Sequence, residues 1–453
     1  MDSLNDREGF KRNRVNAGRG ALEDLKDMQF IADFHIHSYL SRATSREMNL
    51  ENIYRWAQLK GVTVVGTGDF TNPHWFKELK EKLEPAEPGL FILKPEYSQR
   101  VDEDIPESCR APVRFILTVE ISSIYKKNGK TRKVHNLIFF PDFQSASRFN
   151  ARLQNLGNIS SDGRPILGID SKELLKIALD TSPESYFVPA HIWTPHFSVL
   201  GASSGFDSIE ECFEELTPHI HSVETGLSSD PPMNWRLSAL DKVTLISNSD
   251  AHSPDRIGRE ANIFSTDLSY YAMIEALNHP EKGEFLGTIE FFPEEGKYHF
   301  DGHRACSQRM TPEETIKNQG RCPICGKKVT VGVMHRVIEL ADRPSGFIPQ
   351  GKPSFESLIG LTEIISEIQA VGTKSKKVQN DYFRLLRLLG SELFILRECS
   401  LNTLKSAGIP LLPKAIEKVR NCDVNIIPGY DGEYGKVRVF KEHEKISNQL
   451  SLF

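Results

Sequence analysis

The sequence lacks the features that mark several familiar protein classes. No apolar run approaches the roughly 20 residues that a membrane-spanning helix needs, and the N-terminal MDSLNDREGFKRNR has no hydrophobic stretch of the kind a signal peptide carries. It contains neither a Gly-rich dinucleotide-binding turn nor a phosphate-loop lysine motif. The net charge of -5 shows no overall basic excess, although a local basic face can exist within an acidic total. These absences predict a cytoplasmic protein without a membrane partner.

Cysteine is also scarce, with seven among 453 residues. An odd number that includes one C-x-x-C pair favours a reducing compartment and metal thiolates over a disulfide framework. The chain is too long for one ordinary core and predicts two or three domains. Charged residues at 26% and hydrophobic residues at 39% are ordinary for a globular protein.

The pattern of the chain changes several times and predicts five segments. They are a polar extension over 1–27, with Met28 as an alternative start, a strand-and-helix domain over 28–295, a Cys-, His- and Gly-rich domain over 296–345, a helix-rich domain over 346–440 and a flexible tail over 441–453. The alternation of strands and helices in the second segment predicts an α/β fold with a mostly parallel sheet, either a barrel or doubly wound.

Apolar periodicity locates the main elements. Strands are predicted at 28–37, 62–68, 113–122, 135–140, 186–191, 221–226 and 243–252, and helices at 49–61, 171–180, 270–279, 355–372 and 379–399.

Potential metal ligands accompany most of the predicted strands. In ADFHIHS, His35 and His37 share one face because alternate residues of a strand point the same way. The later strands supply Asp69, Glu120, His135, His191, Glu224, Asp250 and His252. Because the carboxyl ends of parallel strands converge, we expect one site in which nitrogen and oxygen ligands hold two or three divalent ions such as zinc, manganese or iron. Whether Glu224 reaches a metal is left open.

A second ligand set lies in the Cys-rich segment. His303, Cys306, Cys322 and Cys325 form two pairs, each with a two-residue spacer, and this arrangement is typical of a tetrahedral structural zinc site. His335 is an alternative fourth ligand.

The ordered series DFHIH, GDF, VE, VH, AH and SDAH resembles a polymerase and histidinol phosphatase (PHP) domain. Together with HSYLSRATS, GDFTNPHW and the DGHRAC…CPICG…HRVIELADRP segment, it resembles the endonuclease Q family over about residues 28–440. The resemblance implies a distorted (β/α)7 barrel, followed by a small zinc-binding domain and a helix-rich C-terminal domain. It also implies an endonuclease that nicks damaged DNA on the 5′ side of uracil, hypoxanthine, xanthine and abasic sites, leaving a 3′-hydroxyl and a 5′-phosphate.

The resemblance also implies roles for individual residues. Asp250 and His252 would hold metal or orient the nucleophile, and Asp69 would replace a histidine ligand of the usual motif. Arg42, near a position where many PHP enzymes carry an acid, would neutralise the scissile phosphate, or it forms only a surface ion pair. The catalytic ions would be zinc, or alternatively manganese or magnesium.

Two further segments have predicted binding roles. PGYDGEYG, with Tyr430 and Tyr434, would line a pocket for a flipped base, or it is only a hairpin turn. The terminal QLSLF closely resembles the motif by which bacterial repair and replication proteins bind the sliding clamp, the beta subunit of DNA polymerase III. Gln449, Leu450, Leu452 and Phe453 would be its anchors.

Two other functions compete with the nuclease. A PHP phosphatase of small phosphate monoesters explains the metal ligands but leaves the zinc segment and the helical domain without a role. A non-catalytic zinc adaptor that brings partners to DNA leaves the ligand series unexplained. The sequence therefore predicts a metal-dependent DNA repair endonuclease, associated with the nucleoid.

Overall fold

The computed structural model describes residues 29–441. Within them the strands are β1 (Phe30–Asp33), β2 (Val64–Gly66), β3 (Leu83–Pro85), β4 (Phe91–Leu93), β5 (Arg114–Lys127), β6 (Lys130–Phe140), β7 (Ile166–Leu167), β8 (Tyr186–Pro189), β9 (Ser222–Glu224), β10 (Thr244–Ile246), β11 (Ala261–Phe264), β12 (Phe285–Glu290), β13 (Asp301–His303), β14 (Gln308–Met310), β15 (Ser354–Ser357), β16 (Asn425–Ile427) and β17 (Lys436–Arg438). The extension 1–27 and the clamp-binding residues 449–453 lie outside the described residues.

The helices follow the apolar periodicity of the sequence. They are α1 (Leu50–Lys60), α2 (Pro73–Lys82), α3 (Pro95–Asp102), α4 (Phe143–Gln154), α5 (Ser171–Thr181), α6 (Ile209–Phe213), α7 (Pro231–Asn234), α8 (Tyr270–Asn278), α9 (Pro312–Lys317), α10 (Val333–Leu340), α11 (Leu361–Gln369), α12 (Lys376–Leu389), α13 (Glu392–Arg397), α14 (Leu401–Ser406) and α15 (Leu412–Arg420). Between Gln29 and Lys441, none of them is long and apolar enough to cross a membrane.

A central sheet organises the domain that carries the predicted metal ligands. Its strand order is β15-β12-β11-β1-β2-β5-β4-β3, and β6, β7 and β8 extend it from β5. Strand β1 pairs in parallel with β2 and antiparallel with β11. The predicted α/β class is confirmed, but the sheet is mixed rather than mostly parallel.

The largest departure from the predicted parallel order is the hairpin of β5 and β6. These strands pair antiparallel from Leu117 opposite Phe140 to Lys127 opposite Lys130. The two turn residues, Asn128 and Gly129, both have positive φ, at 52° and 72°. A two-residue turn of this kind matches the twist of an antiparallel pair. Residues 113–122 and 135–140, predicted as strands of a parallel sheet, are therefore the two arms of one hairpin.

Side chains complete the closure of the sheet where strand ladders are missing. Among the strands between Gln29 and Lys441, β9 and β10 pair only with each other. Asn262 of β11 donates to the carbonyl of Ser247 at 2.8 Å, and the hydroxyls of Tyr186 and Ser222 lie 2.6 Å apart. The result is an irregular α/β arrangement that agrees with the predicted distorted PHP-type barrel.

Two hydrophobic clusters pack against the central sheet, and adjacent strand residues belong to different clusters. Phe139 packs with Phe34 and Phe264 in the smaller cluster, whereas Phe140 packs with Phe70 and Phe149 in the larger one. This is the alternation expected of a sheet covered on both faces.

The C-terminal region is rich in helices, as predicted, with two corrections. The predicted helix 355–372 begins instead with β15, because Ser354–Ser357 pairs in parallel with β12 of the central sheet. The predicted helix 379–399 is broken after Leu389 into α12 and α13, where Gly390 has a φ of 123°. The predicted domain boundaries themselves stay predictions.

Candidate active site and metal centres

Three side chains that are far apart in the sequence but close in space form the first candidate metal group. His35 and His37 follow β1, and Asp250 follows β10. One ligand atom from each lies within 4.8 Å of the others, and His37 Nε2 is 3.1 Å from Asp250 Oδ1. His35 Nε2, His37 Nε2 and Asp250 Oδ1 are all buried without a hydrogen-bond partner. Since buried polar atoms are normally satisfied, the three residues fit a divalent cation that would occupy the point between them.

Glu120, His135 and His191 form the second candidate group. The Oε1 atom of Glu120 is 2.6 Å from His135 Nδ1 and 3.0 Å from His191 Nε2. The two imidazole nitrogens lie 3.2 Å apart. Glu120 and His135 come from the interior of the β5–β6 hairpin rather than from the ends of parallel strands, so their convergence depends on the antiparallel pairing.

Glu120 also connects the two groups. Its Oε2 is 3.4 Å from His37 Nε2, and its Oε1 is 3.7 Å from His35 Nε2. Glu120 could therefore help to hold metal ions at either group, and such ions would supply the chemistry of a two-metal phosphoesterase site.

Two further carboxylates lie behind the imidazoles and fix their orientation. Asp69, predicted as a ligand, instead accepts from Ser38 N at 2.7 Å and lies 3.1 Å from His37 Nδ1. Glu224 lies 3.0 Å from His35 Nδ1 and accepts from His191 N at 2.8 Å. In both histidines the hydrogen-bonded Nδ1 leaves Nε2 for a metal, which is how second-layer carboxylates commonly act. Neither carboxylate belongs to a candidate metal group.

His252 lies at the open side of the first group. Its Nδ1 donates to the Asp250 carbonyl at 2.9 Å, and its ring centroid is 4.6 Å from that of His37. About a third of its side chain is exposed. It is not part of either metal group, and this position suits contact with water or substrate.

The charges of the site shift the pKa values of its members in opposite directions. Burial opposes the charged forms, but Glu224 and Glu120 raise the pKa of His35, and His35 and His37 hold that of Asp250 far below its ordinary value. Burial lowers the pKa of His135 to about 4. A neutral His135 has the protonation state that metal binding needs.

Backbone strain accompanies these side chains. Asp69, His191 and Asp250 have φ values of 50°, 30° and 46°, in the left-handed region that residues other than glycine rarely adopt. Such conformations cluster at functional sites, where surrounding contacts hold them.

Arg164, which sequence reasoning missed, forms an ion pair with one of the candidate metal ligands. Its Nη1 donates to Glu120 Oε2 at 2.9 Å. Arg42, predicted to neutralise the phosphate, has a side chain that is 84% exposed, and its Nε is 3.9 Å from Asp162. The structure thus places Arg164, and not Arg42, against the metal groups. The surrounding SSDGRP has no pattern that distinguishes it from an ordinary loop.

The Cys-rich segment forms a separate cluster. Ligand atoms of His303, Cys306, Cys322 and Cys325 all lie within 4.8 Å of one another. The alternative ligand His335 is engaged elsewhere, because its Nδ1 lies 2.6 Å from Asp301 Oδ2. Three thiolates and one imidazole fit one tetrahedral zinc ion.

Comparison with known proteins places this arrangement in a family. The chain is 32% identical to the lesion-specific endonuclease PfuEndoQ from Pyrococcus furiosus, with a TM-score of 0.79 over 94% of this chain and 99% of that one. The chain belongs to the endonuclease Q family. A structure of endonuclease Q with a 27-mer duplex substrate that has an abasic lesion at the active site is also 32% identical, with a TM-score of 0.77 over 92% and 98% of the two chains.

Two further relatives of this chain are named only as uncharacterized proteins. YqxK of Bacillus subtilis is 28% identical over 90% of this chain and 98% of its own length. MJ0043 of Methanocaldococcus jannaschii is 32% identical over 51% of this chain but only 30% of its own length, so this chain spans less than a third of that relative. Residues 360–423 match the family model of the MJ0043 C-terminal domain. The predictions of an endonuclease Q fold and of a DNA repair endonuclease are confirmed.

A cavity of about 620 Å³ lies beside the second metal group. Thr194 and Arg259 line it, and both contact the site: the Thr194 hydroxyl is 3.1 Å from His191 Nδ1, and Arg259 Nε donates to the Ser249 carbonyl at 2.9 Å. Its other side is lined by Lys297, Tyr298 and Tyr434, among others.

The two tyrosines of PGYDGEYG have different environments. Tyr434 is 73% exposed, and Lys297 Nζ lies within 6 Å of both the Tyr434 and Tyr298 ring centroids. Tyr430 is buried against Gly302, so its predicted contact with substrate does not agree with its position. The flanking Asp431 accepts from Arg304 N and Thr330 Oγ1, which attaches the turn to the zinc segment.

Proposed function

We propose that this protein hydrolyses the phosphodiester on the 5′ side of uracil, hypoxanthine, xanthine and abasic sites in DNA, leaving a 3′-hydroxyl and a 5′-phosphate. The observation that carries the proposal is the position of two candidate metal groups, joined by Glu120, beside a cavity of base-accommodating size. The relative with an abasic lesion at its active site supports the choice of substrate.

Metal ions bound at the two groups would supply an activated water and neutralise the phosphate. The residues of the chain position these ions. Glu120 contacts both groups, and Asp69 and Glu224 orient His37 and His35. The left-handed backbone at Asp250 places its carboxylate beside these two histidines. Zinc fits the imidazole and carboxylate donors best, with manganese or magnesium as alternatives. His252, partly exposed at the rim, orients the water or the leaving oxygen.

The cavity selects the lesion. Deamination replaces an exocyclic amine, a donor, with a carbonyl, an acceptor, and it adds a proton to the neighbouring ring nitrogen. The guanidinium of Arg259 is a donor on the wall of the cavity, and exposed Tyr434 offers a stacking surface at its edge. A base that rotates out of the duplex could therefore be held and read there.

Cleavage of defined duplexes tests this proposal. Labelled duplexes with one deoxyuridine, one deoxyinosine or one abasic site should each be nicked once, on the 5′ side, and a polymerase should extend the new 3′ end. An undamaged duplex of the same sequence is the control. Equal cutting of both duplexes would contradict lesion specificity, and hydrolysis of p-nitrophenyl phosphate without nicking would favour the monoester phosphatase instead.

The same function assigns a role to the last residues of the chain. Through Gln449, Leu450, Leu452 and Phe453 the protein binds the bacterial sliding clamp, a ring that encircles DNA. Tethering to this ring raises the local concentration of the enzyme at its substrate and places the protein at the nucleoid.

A further inference from the structure

Arg164 has a position that neither the sequence motifs nor the metal groups account for. Its Nη1 donates to Glu120 Oε2 at 2.9 Å, and Glu120 is the carboxylate that contacts both candidate metal groups. Any phosphate held by ions at these groups would lie within a few ångströms of the guanidinium. About a quarter of the Arg164 side chain is exposed, like that of Asp250, so both face the open side of the site.

The loop that carries Arg164 is fixed to the site at several points. Asp162 Oδ1 accepts from Arg164 N at 3.2 Å and from Arg42 N at 3.1 Å. Gly163 packs so closely that a Cβ there would lie 2.2 Å from Asp69 Oδ2, and a side chain at this position would therefore move the loop. These contacts hold the loop over the carboxylate that orients His37.

The hydrogen bonds of Arg164 leave most of its binding capacity unused. A guanidinium has five N–H donors in a planar fork, and among residues 29–441 only Nη1 has a hydrogen-bond partner. The fork geometry matches two oxygens of a phosphate, which a point charge does not. Glu120 thus orients the guanidinium through Nη1, and the remaining N–H groups are available to a phosphate.

We propose that Arg164 binds the scissile phosphate and that Glu120 and the 158–165 loop hold its guanidinium in place for that contact. This inference rests on the proposed endonuclease function. It gives Arg164 direct contact with the substrate, rather than a role confined to balancing the charge of Glu120.

A double-mutant cycle, with one change in the protein and the other in the DNA, tests the contact. Binding of the metal-loaded enzyme to a lesion duplex is followed by stopped-flow fluorescence anisotropy, which reports binding before cleavage. The duplex carries either a normal phosphate or an uncharged methylphosphonate at the scissile position. Arg164→Ala should weaken binding of the normal duplex about tenfold, as expected for a lost charge-assisted hydrogen bond. The same substitution should hardly change the binding of the methylphosphonate duplex, because in that duplex the interaction between Arg164 and the charged phosphate is already lost.

Three further measurements distinguish a substrate contact from a structural role. Metal content by elemental analysis should be the same in Arg164→Ala and in the wild type. Arg164→Lys should bind with intermediate affinity, since it keeps the charge and loses the fork. Arg152→Ala, which removes an exposed arginine from α4, should leave all values unchanged.

Two results would overturn the assignment. If the effects of Arg164→Ala and of the methylphosphonate add independently, Arg164 does not contact that phosphate. If Arg164→Ala loses metal while its affinity for DNA is unchanged, the residue only supports Glu120. Failure of the wild type to bind or cut any lesion duplex would contradict the proposed function itself, a result distinct from both.

Discussion

Lys60 and Glu392, which are 332 positions apart in the sequence, form a buried ion pair with an Nζ–Oε2 distance of 2.6 Å. The pair joins α1 of the sheet domain to α13 of the C-terminal region. Glu392 also accepts from Tyr382 Oη at 2.8 Å and from Leu361 N at 3.0 Å, so its carboxylate is fully hydrogen-bonded. The pair therefore holds the helix-rich region against the domain that carries the metal ligands.

Removal of the lysine charge should destabilise the protein. In Lys60→Met, Glu392 stays buried without its cation, and breaking a buried pair in this way costs about 3 kcal/mol or more. Urea unfolding should show a lower midpoint for this variant. Lys77→Met, at an exposed position of α2, is the matched control. Equal midpoints for both variants would show that the pair contributes nothing to stability.

Loss of the Asp250 carboxylate should abolish nicking. Asp250→Asn removes the charge from an atom that shares the first metal group with His35 and His37, and we expect the rate to fall about 100-fold or more. Single-turnover cleavage of an abasic duplex measures the effect, and anisotropy should show that the DNA still binds. Asp267→Asn, at an exposed loop position, controls for the loss of one carboxylate. A wild-type rate in Asp250→Asn would exclude this residue from catalysis.

The Cys cluster should hold one zinc ion that is separate from the active site. Cys322→Ser should lower the zinc content by one ion per chain and lower Tm by about 5 °C or more, because short loops there depend on the metal for their fold. Cys422→Ser, an exposed cysteine outside the cluster, should change neither value. Unchanged zinc content in Cys322→Ser would refute the site.

Glu290 should make stability depend on pH. Burial raises its pKa from 4.5 to about 8, although the hydroxyls of Thr288, Ser247 and Thr225 donate to it. Between these two values the folded state retains a proton that the unfolded state releases, so this group reduces stability as pH rises from about 5 to 8.

Glu290→Gln removes the ionisable group and should flatten this dependence. Between pH 5 and pH 8, the unfolding free energy of the wild type should fall by on the order of 3 kcal/mol more than that of the variant. Chemical denaturation at several pH values measures it, with Glu173→Gln at an exposed position as control. The same slope in both variants would place the titration elsewhere.

Deletion of residues 449–453 should separate clamp binding from cleavage. The truncated chain should nick a short lesion duplex at the full rate but give no heat of binding in a calorimetric titration with the bacterial clamp. Within the motif, Phe453→Ala should weaken binding, whereas Ser451→Ala should not, since only the apolar anchors fill pockets. Equal binding by full-length and truncated chains would exclude the motif.

Sequence patterns predicted those features that depend on neighbouring residues. Helices α1, α5 and α8 begin and end within a residue or two of their predicted bounds, because apolar spacing and local caps such as Asn49 define them. His35 and His37 were recognisable because the two-residue period of a strand places them on one face. The paired spacing of the zinc ligands is local in the same sense.

The remaining features depend on contacts between distant residues. The role of Arg164 depends on Glu120 and on the fit of Gly163 against Asp69, and no local pattern encodes either contact. Asp69 and Glu224 are carboxylates near predicted strand ends, as metal ligands would also be. Only the geometry shows that they orient His37 and His35 through Nδ1. The sequence did contain a local signal for the β5–β6 hairpin, because Asn128–Gly129 is a strong turn motif.

The position of β1 has a consequence for synthesis of the protein. Its Phe30 lies opposite Phe264 of β11, a partner that the ribosome adds more than 230 residues later. Until then one edge of β1 has no partner strand, and until Asp250 is added His35 and His37 lack the third member of their metal group. Pairing over such a separation is slow and leaves strand edges available to other chains. A nascent chain that stops before Asp250 should therefore aggregate and bind no metal at the first group, because it has the two histidines without the carboxylate.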